Sequence, residues 1–169
     1  ESIGYIRLTR FSKNSHLEVE KAIKSLMGND LNSIVLDLRD NPGGLLNSAV
    51  KILDLFIDKK ELLVWTDGKA RQSNKKYFSK NDPIVPSDIQ LAILINGGSA
   101  SASEIVAGVI QDLDRGVVIG RKSFGKGLVQ TVYNIDRNKA LKVTTAKYYI
   151  PSGRLIQKSG YLPNELLAD

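Results

Sequence analysis

Apolar residues recur at helical spacing in three separate stretches of the chain. The first stretch begins next to Ser15 and Glu18, whose separation is that of a capping box at the start of a helix. In chain order the three apolar sets are Val19, Ala22, Ile23, Leu26 and Met27; Ala49, Ile52, Leu53 and Phe56; and Val106, Val109, Ile110 and Leu113. Each set falls on one face of a helix, so the sequence predicts three amphipathic helices.

Short apolar or alternating runs lie around these helices. The runs typical of strands are residues 2–11, 33–38, 62–67, 90–95 and 117–119, and later 128–133 and 141–147. Strands that alternate with helices require crossover connections, so we expect an α/β fold with a largely parallel sheet and helices on its faces. The last two runs have no helix between them and predict additional C-terminal strands. The polar residues 68–88, broken by Pro83 and Pro86, are expected to form a loop or a small excursion.

The length of 169 residues is that of one ordinary domain, and we expect a single domain over residues 1–169. Hydrophobic residues make up 42% of the chain and charged residues 25%, as in globular proteins. No stretch approaches the roughly 18 apolar residues that a membrane-spanning helix needs, so none is predicted.

Two scarce residue types restrict the chemistry. The chain has no Cys, which excludes a disulfide framework, a thiolate zinc site and a cysteine nucleophile. His16 is the only histidine, which excludes a metal site of several imidazoles, and we expect neither a metal nor another cofactor. His16 falls in the first turn of the first predicted helix and is interpreted as a surface or capping-turn residue. Hydrolysis would then depend on hydroxyls, carboxylates, lysines and backbone amides.

The positive charge of the chain is dispersed. Lys and Arg number 24 against 18 Asp and Glu, a net charge of +6. The densest basic stretch, residues 69–80, mixes its lysines and arginine with apolar and polar residues and is typical of a solvated surface. Nucleic acid is therefore not an expected partner.

Two unusual loops follow the buried strands, at the edge of an α/β sheet where sites usually form. Residues 39–44 are a glycine-containing turn, and residues 96–104 are rich in glycine and serine. In the second loop Ser101 and Glu104 have capping-box spacing, so the serines can simply begin a helix. Alternatively, a serine there is a nucleophile, because the amino end of a helix favours negative charge on a reacting oxygen.

A lysine is the candidate base for such a serine. Lys126 stands between two glycines, after a buried run and before an alternating one. Desolvation disfavours a charged ammonium, so a buried lysine can accept a proton near neutral pH. The ordinary interpretation of Lys126 is a lysine in a glycine turn, and both interpretations stay open at this point.

Residues 120–126 also have the glycine spacing and lysine of a phosphate-binding loop. Gly127 stands where that motif needs Ser or Thr for magnesium, and the next run predicts a strand rather than a helix. Nucleotide binding is accordingly disfavoured.

Five sequence blocks together resemble the C-terminal processing proteases, also called tail-specific proteases. These blocks are residues 37–44, 98–105, 111–112, 123–130 and 151–157. They occur in the family's order and at matching separations, and they span almost the whole chain. The resemblance implies a crotonase-like or ClpP-like core fold, in keeping with the predicted alternation of strands and helices.

The resemblance also implies roles for individual residues. The family's nucleophile is the middle serine of the Ser-Ala-Ser-Ala-Ser run, which is Ser101, and its general base corresponds to Lys126. Gln130 corresponds to the glutamine that orients the lysine. The hydroxyl of Ser101 would attack a peptide carbonyl while the neutral amine of Lys126 takes the hydroxyl proton.

The remaining predictions concern an oxyanion hole and one carboxylate, Asp112. The amide of Ala102 would bind the oxyanion together with an amide of the first glycine loop, from Gly43 or Gly44, and the analogy does not choose between them. Asp112, at the far end of the third predicted helix, is interpreted as structural.

The expected activity is that of a serine endopeptidase that cleaves proteins near their C-terminus through an acyl-enzyme. Its expected partner is a protein or peptide with a free, nonpolar C-terminus, and the family places it outside the cytoplasm. The chain begins at the strand expected after the family's PDZ domain, so it resembles the isolated protease core without that domain or the helices before it. The alternative is a peptide-binding module on a protease-like core without a competent serine–lysine pair.

Overall fold

The computed structural model describes residues 2–28 and 30–157. The helices are α1 (Ser15–Leu26), α2 (Leu46–Leu53) and α3 (Ala102–Asp112), with a short 3-10 turn at Arg71–Ser73. The strands are β1 (Ser2–Arg7), β2 (Leu31–Asp37), β3 (Leu62–Asp67), β4 (Lys75–Phe78), β5 (Gln90–Ile95), β6 (Val117–Gly120), β7 (Leu128–Asn134) and β8 (Ala140–Tyr149). All three predicted helices and all seven predicted strands are present.

One sheet is parallel throughout. Its order is β1-β2-β5-β6, and each neighbouring pair is parallel. Ile34, Leu36 and Ile93 on its two central strands are fully buried. Apolar runs of this kind suit strands that are covered on both faces. The carboxyl ends of β2 and β5 lie side by side and carry the two glycine-containing loops.

The second sheet corrects two predictions. Its order is β4-β3-β8-β7, and its pairs are antiparallel. The strand predicted at residues 62–67 belongs to this sheet and not to the parallel one, so the predicted parallel sheet is confirmed only for β1, β2, β5 and β6. The predicted loop over residues 68–88 contains β4, a short and mostly exposed edge strand that pairs with β3. The fold is therefore a mixed α/β arrangement of one parallel and one antiparallel sheet.

Helix α3 lies against both sheets. It contacts β5 and β6 of the parallel sheet and β3 of the antiparallel sheet, and α2 contacts both α3 and β3. One cluster of buried side chains includes Leu63 of β3, Ile93 of β5 and Ile105 of α3. The amino end of α3 is thereby fixed at the junction of the two sheets.

In residues 2–28 and 30–157, no helix combines the length and apolar character that crossing a membrane requires. The same part of the chain contains no group of three His, Cys, Asp or Glu side chains placed to hold a metal ion.

Candidate active site

The loops after β2 and β5 are joined by hydrogen bonds. The side chain of Asn96 accepts from the amide of Asp40 at 2.9 Å and donates to its carboxylate at 2.9 Å. The amide of Ala100 donates to the carbonyl of Asn41 at 3.0 Å. These bonds bring the two predicted site loops together at the carboxyl edge of the parallel sheet.

Three serines in the second loop have different surroundings. Ser99 is fully buried and donates its hydroxyl to the carbonyl of Leu38 at 2.7 Å. Ser103 is also fully buried and donates its hydroxyl to the carbonyl of Asn41 at 2.9 Å. Ser101 is partly exposed and lines a cleft. Of the three hydroxyls, that of Ser101 is therefore the one available to a substrate.

Ser101 has an uncommon backbone conformation. It caps α3 with φ 56° and ψ −111°, outside the regions that L-residues with a side chain usually occupy. The predicted capping box with Glu104 is present, and the amide of Ser101 donates to the Glu104 carboxylate at 2.7 Å. The capping interpretation of this serine is thus confirmed. Strained residues of this kind cluster at functional sites, so capping and catalysis are compatible here.

A cleft of about 380 Å³ gathers five of the six predicted site residues. Its lining residues are Arg10, Pro42, Gly43, Gly44, Ser101, Lys126, Leu128, Gln130, Lys142 and Tyr148. Ala102, the sixth, is buried at the first position of α3, directly behind the serine. Among the described residues no hydrogen bond joins the side chains of Ser101, Lys126 and Gln130 to one another, so they share the cleft without direct contact through polar atoms.

Glu104 connects the serine to the lysine through the backbone. Its carboxylate is fully buried and accepts hydrogen bonds from the Ser123 hydroxyl at 2.6 Å and the Gly125 amide at 2.6 Å. It also accepts from the amides of Ser101 at 2.7 Å and Lys126 at 2.8 Å. One carboxylate therefore fixes the backbone at both predicted reacting residues. The sequence indicated this glutamate only as half of a capping box.

Two backbone amides near the serine have no acceptor among the described residues. The amide of Gly43 donates to the side chain of Asn41 at 2.9 Å, whereas that of Gly44 has no such partner. Ala102 is the first residue of α3, and the first amide of a helix has no partner within it. A Cβ added to Gly43 would lie only 2.9 Å from the Ala102 nitrogen, so this loop and the helix start are in close contact.

Both glycines of this loop are required by the close approach of other backbone segments. Gly43 has φ +92°, and a Cβ there would lie 2.5 Å from the carbonyl oxygen of Ala100. Gly44 has φ +149°, and a Cβ there would lie 2.2 Å from the carbonyl oxygen of Phe11. Any side chain at either position would push the loop away from the cleft.

The sequence did not indicate Arg10, Lys142 or Tyr148 as cleft residues. Arg10 follows β1, and Lys142 and Tyr148 lie on β8. Docking of the antiparallel sheet brings Lys142 and Tyr148 to the cleft, whereas Arg10 comes from the segment after β1 of the parallel sheet, next to the glycine loop. Burial, with a smaller contribution from Tyr77, raises the pKa of Tyr148 to about 12, so its phenol lines the cleft as a neutral group.

A second, more apolar cleft of about 670 Å³ adjoins the first and shares Pro42, Lys126 and Leu128 with it. Phe124, whose ring is exposed, and glycines of the second loop form much of its lining. The predicted base thus lies at the boundary between a more polar and a more apolar cleft.

Two further residues of the sequence analysis lie outside the cleft lining. His16 is on α1, with its Nε2 3.3 Å from the Lys51 amine. Asp112 ends α3, accepts from the amide of Ser152 at 2.9 Å and forms an ion pair with Arg154. Burial alone would raise the pKa of Asp112, but these hydrogen bonds and the guanidinium lower it below its usual value. Both predicted non-catalytic interpretations agree with these positions.

The sequence profile of the Peptidase family S41 matches residues 2–167. The chain belongs to this family. It is 44% identical over 166 residues to a carboxy-terminal-processing protease of Bartonella bacilliformis. The aligned region covers 96% of this chain and 38% of that protein. The chain is 38% identical to the carboxyl-terminal-processing peptidase 2, chloroplastic, of Arabidopsis thaliana, with 98% of this chain and 32% of that protein covered.

A solved structure, the photosystem II D1 C-terminal processing protease, superposes with a TM-score of 0.86 at 35% identity. The match covers 96% of this chain and 41% of that one. The chain therefore spans about two fifths or less of the length of these family members.

Proposed function

We propose that this S41 chain is the core of a serine endopeptidase that cleaves proteins near their C-terminus with Ser101 and Lys126. One observation carries the proposal: Ser101, the glycine loop, and Lys126 with Gln130 come from three separate segments of the chain and line one cleft. The hydroxyls of Ser99 and Ser103 donate to carbonyls elsewhere, which supports Ser101 as the proposed nucleophile.

In the proposed reaction the Ser101 oxygen attacks the carbonyl carbon of a peptide bond, and the Lys126 amine takes the hydroxyl proton. The tetrahedral intermediate collapses when the lysine gives this proton to the leaving amine, and an ester on Ser101 remains. Water then attacks the ester and loses a proton to Lys126. The lysine returns this proton to the Ser101 oxygen as the ester bond breaks, which releases the new carboxyl group and restores the free enzyme. The base must be uncharged to begin the cycle.

Gln130 is proposed to orient the Lys126 amine when a substrate is bound. The free protein has no hydrogen bond among these side chains within the described residues. Bonds of this kind are often long in a free enzyme and tighten in the complex with substrate. An extended chain in the cleft would exclude water and restrict the lysine.

The oxyanion hole is proposed to consist of the amides of Ala102 and Gly44. Both have no acceptor among the described residues, whereas the amide of Gly43 is engaged by Asn41. The amino end of α3 adds the positive end of the helix dipole. Developing negative charge on the carbonyl oxygen would therefore meet two oriented donors.

Further features of the proposal come from the family resemblance. They are a single protease core over the chain, a crotonase-like or ClpP-like relationship, a substrate with a free, nonpolar C-terminus and a compartment outside the cytoplasm. The name of the Arabidopsis relative describes that protein as chloroplastic, which supports the proposed compartment outside the cytoplasm.

Labelling with a fluorescent fluorophosphonate tests the proposal, because such probes react with activated serines. We expect the protein to be labelled, and we expect Ser101→Ala and Lys126→Ala each to abolish labelling. Lys122→Ala and Ser25→Ala change an exposed lysine and an exposed serine outside the cleft, and they should label like the original protein.

Cleavage of an unstructured peptide with a nonpolar C-terminus, followed by mass spectrometry, completes the test. Cleavage that is lost in Lys126→Ala supports the protease. Peptide binding without cleavage or labelling at any pH would instead establish the alternative, a non-catalytic peptide-binding module.

A further inference from the structure

The charges that line the Ser101 cleft are all of one sign. Arg10, Lys126 and Lys142 are three of its ten lining residues, and none of the ten is Asp or Glu. Glu104 lies beneath the cleft, but it is fully buried and its oxygens accept four hydrogen bonds. The surface that a substrate would touch is therefore cationic, beyond the single amine that the proposed reaction uses.

Arg10 is held next to the glycine loop by its neighbour in sequence. Phe11 is almost fully buried, donates its amide to the Gly43 carbonyl at 3.1 Å and accepts from the Leu45 amide at 2.9 Å. The backbone at Arg10 is thus attached to the loop that supplies one wall of the cleft. Its own side chain is exposed.

Lys142 lines the cleft from the antiparallel sheet. On the β7–β8 hairpin it pairs with Val132, and Gln130, two residues before Val132, therefore shares its face. Like Arg10, Lys142 is exposed, and neither side chain forms an ion pair with the part of the chain that the structure describes. Two cations without an ion pair among the described residues thus line the same cleft, one from the segment after β1 and one from β8.

We propose that Arg10 and Lys142 form a carboxylate-binding subsite of the cleft, beside the scissile bond. This inference rests on the proposed function for the position of the cut. An extended chain advances about 3.3 Å per residue, so a carboxylate within about three residues of the cut would reach the two cations. The carboxylate is either an acidic side chain or the terminal carboxylate of a short tail. Charge complementarity of this kind selects partners and accelerates association.

Binding to the non-cleaving Ser101→Ala variant tests the subsite independently of catalysis. Fluorescent peptides of neutral sequence would carry one Glu at each position from three before to three after the intended cut, with Gln at the same position as the matched peptide. At one or two positions we expect Glu to bind about fivefold to tenfold more tightly than Gln by fluorescence anisotropy. The difference should shrink between about 20 mM and about 300 mM salt.

Charge-removing variants assign the effect to the two residues. Combined with Ser101→Ala, the double change Arg10→Ala and Lys142→Ala should bring the Glu-to-Gln ratio to about one. Arg7→Ala on β1 and Lys139→Ala at the hairpin remove the same charges outside the cleft and should leave the ratio unchanged. A ratio that persists in the double variant would overturn the proposal.

Two arms separate the sources of the carboxylate. One set of peptides ends one to three residues after the cut with either a free or an amidated terminus. Tighter binding of the free terminus alone identifies the chain end, and tighter binding of internal Glu identifies an acidic side chain. If neither set discriminates, the subsite does not exist.

Cleavage of the same peptides by the unmodified protein distinguishes failure of the subsite from failure of the proposed function. Cleavage without any preference for Glu or a free terminus rejects the subsite and leaves the protease intact. Discrimination by Ser101→Ala with no cleavage by the unmodified protein rejects the protease and supports the anion subsite of a binding module.

Discussion

At the scale of single residues, the strained backbone conformation of Ser101 is expected to lower the stability of the folded protein. A residue with a side chain in a sparsely populated region of φ and ψ costs about 1–3 kcal/mol. Glycine tolerates φ 56° without that cost but gives the unfolded chain more freedom, worth about 0.4–1 kcal/mol. The strain therefore exceeds the entropic penalty of glycine.

We expect Ser101→Gly to be more stable than Ser101→Ala by about 1 kcal/mol, although both lack the hydroxyl. Urea unfolding of the two variants measures the difference directly. Neither variant should react with a fluorophosphonate. Equal stabilities would mean that the backbone at this serine is relaxed.

The second prediction at this scale concerns Glu104. Glu104→Ala would leave the donors of Ser101, Ser123, Gly125 and Lys126 without their acceptor, and an unsatisfied buried donor costs about 1–3 kcal/mol. We expect a loss of at least about 3 kcal/mol in the free energy of unfolding and slower labelling of Ser101.

Glu104→Gln is the matched variant, because it keeps one of the two acceptor oxygens and the same size. It should recover part of the stability and part of the labelling rate, measured on samples shown by circular dichroism to be folded. Full labelling of a folded Glu104→Ala protein would rule out a role of this carboxylate in positioning the serine and the lysine.

At the scale of the elements, two similar sequence signals led to different structures. The capping box at Ser101 and Glu104 is present, but the one predicted at Ser15 and Glu18 is not. Asn14 stands at the N-cap position of α1, but its side chain forms no capping hydrogen bond. The Ser15 hydroxyl instead forms a hydrogen bond of 2.6 Å with the hydroxyl of Ser48 on α2. Local spacing located both helix starts, but tertiary packing decided which serine hydroxyl was free to cap.

The sheets also show that local sequence patterns predict strands but not the sheet that each strand joins. Alternation along residues 128–133 and 141–147 predicted the two C-terminal strands correctly, since period-two patterns are typical of a strand with two different faces. The alternation of strands and helices could not show that β3 leaves the parallel sheet. β4 was missed because Lys75–Phe78 is short, polar and at a sheet edge, where little burial is needed.

A prediction about unfolding in acid concerns Asp112, the last residue of α3. Because the pKa of Asp112 is lowered in the folded protein, its carboxylate contributes stability above its unfolded-state pKa, near pH 4. That contribution is lost as the pH falls through the lower folded-state pKa. Protonation breaks the contacts that tie the end of the helix to Ser152 and Arg154.

We therefore expect the urea midpoint of the protein to fall between about pH 5 and about pH 2, and to fall less in Asp112→Asn. Asp82→Asn removes an exposed carboxylate and should follow the original pH dependence. A slope that is identical in Asp112→Asn would exclude this carboxylate from acid unfolding.

At the scale of the whole molecule, the site exists only where the two sheets meet. Ser101 and Lys126 were predicted because each stands in a distinctive local setting, and the family resemblance added Gln130. Arg10 and Lys142 carry no local signal, since both are ordinary surface cations in the sequence. Arg10 reaches the cleft because Phe11 bonds to the glycine loop, and Lys142 reaches it because the antiparallel sheet docks there. Residues of this kind can be recognised only from tertiary structure.

The last prediction tests whether docking of the antiparallel sheet controls the site at a distance. Trp65 on β3 stacks on Tyr149 of β8, with ring centroids 4.2 Å apart, and helps hold the hairpin that carries Gln130. Trp65→Ala should cost about 2–3 kcal/mol and loosen β8 and β7. Because Ser101 is carried by the parallel sheet and α3, its own surroundings should stay intact.

We expect Trp65→Ala to label severalfold more slowly with fluorophosphonate than the original protein, while amide hydrogen exchange rises in β7 and β8 and is unchanged in β2 and β5. Tyr133→Ala removes a half-exposed ring from the same sheet and should keep the original rate. Unchanged labelling despite faster exchange in β8 would mean that Ser101 reacts without the hairpin, and the proposed part played by Gln130 would then fail.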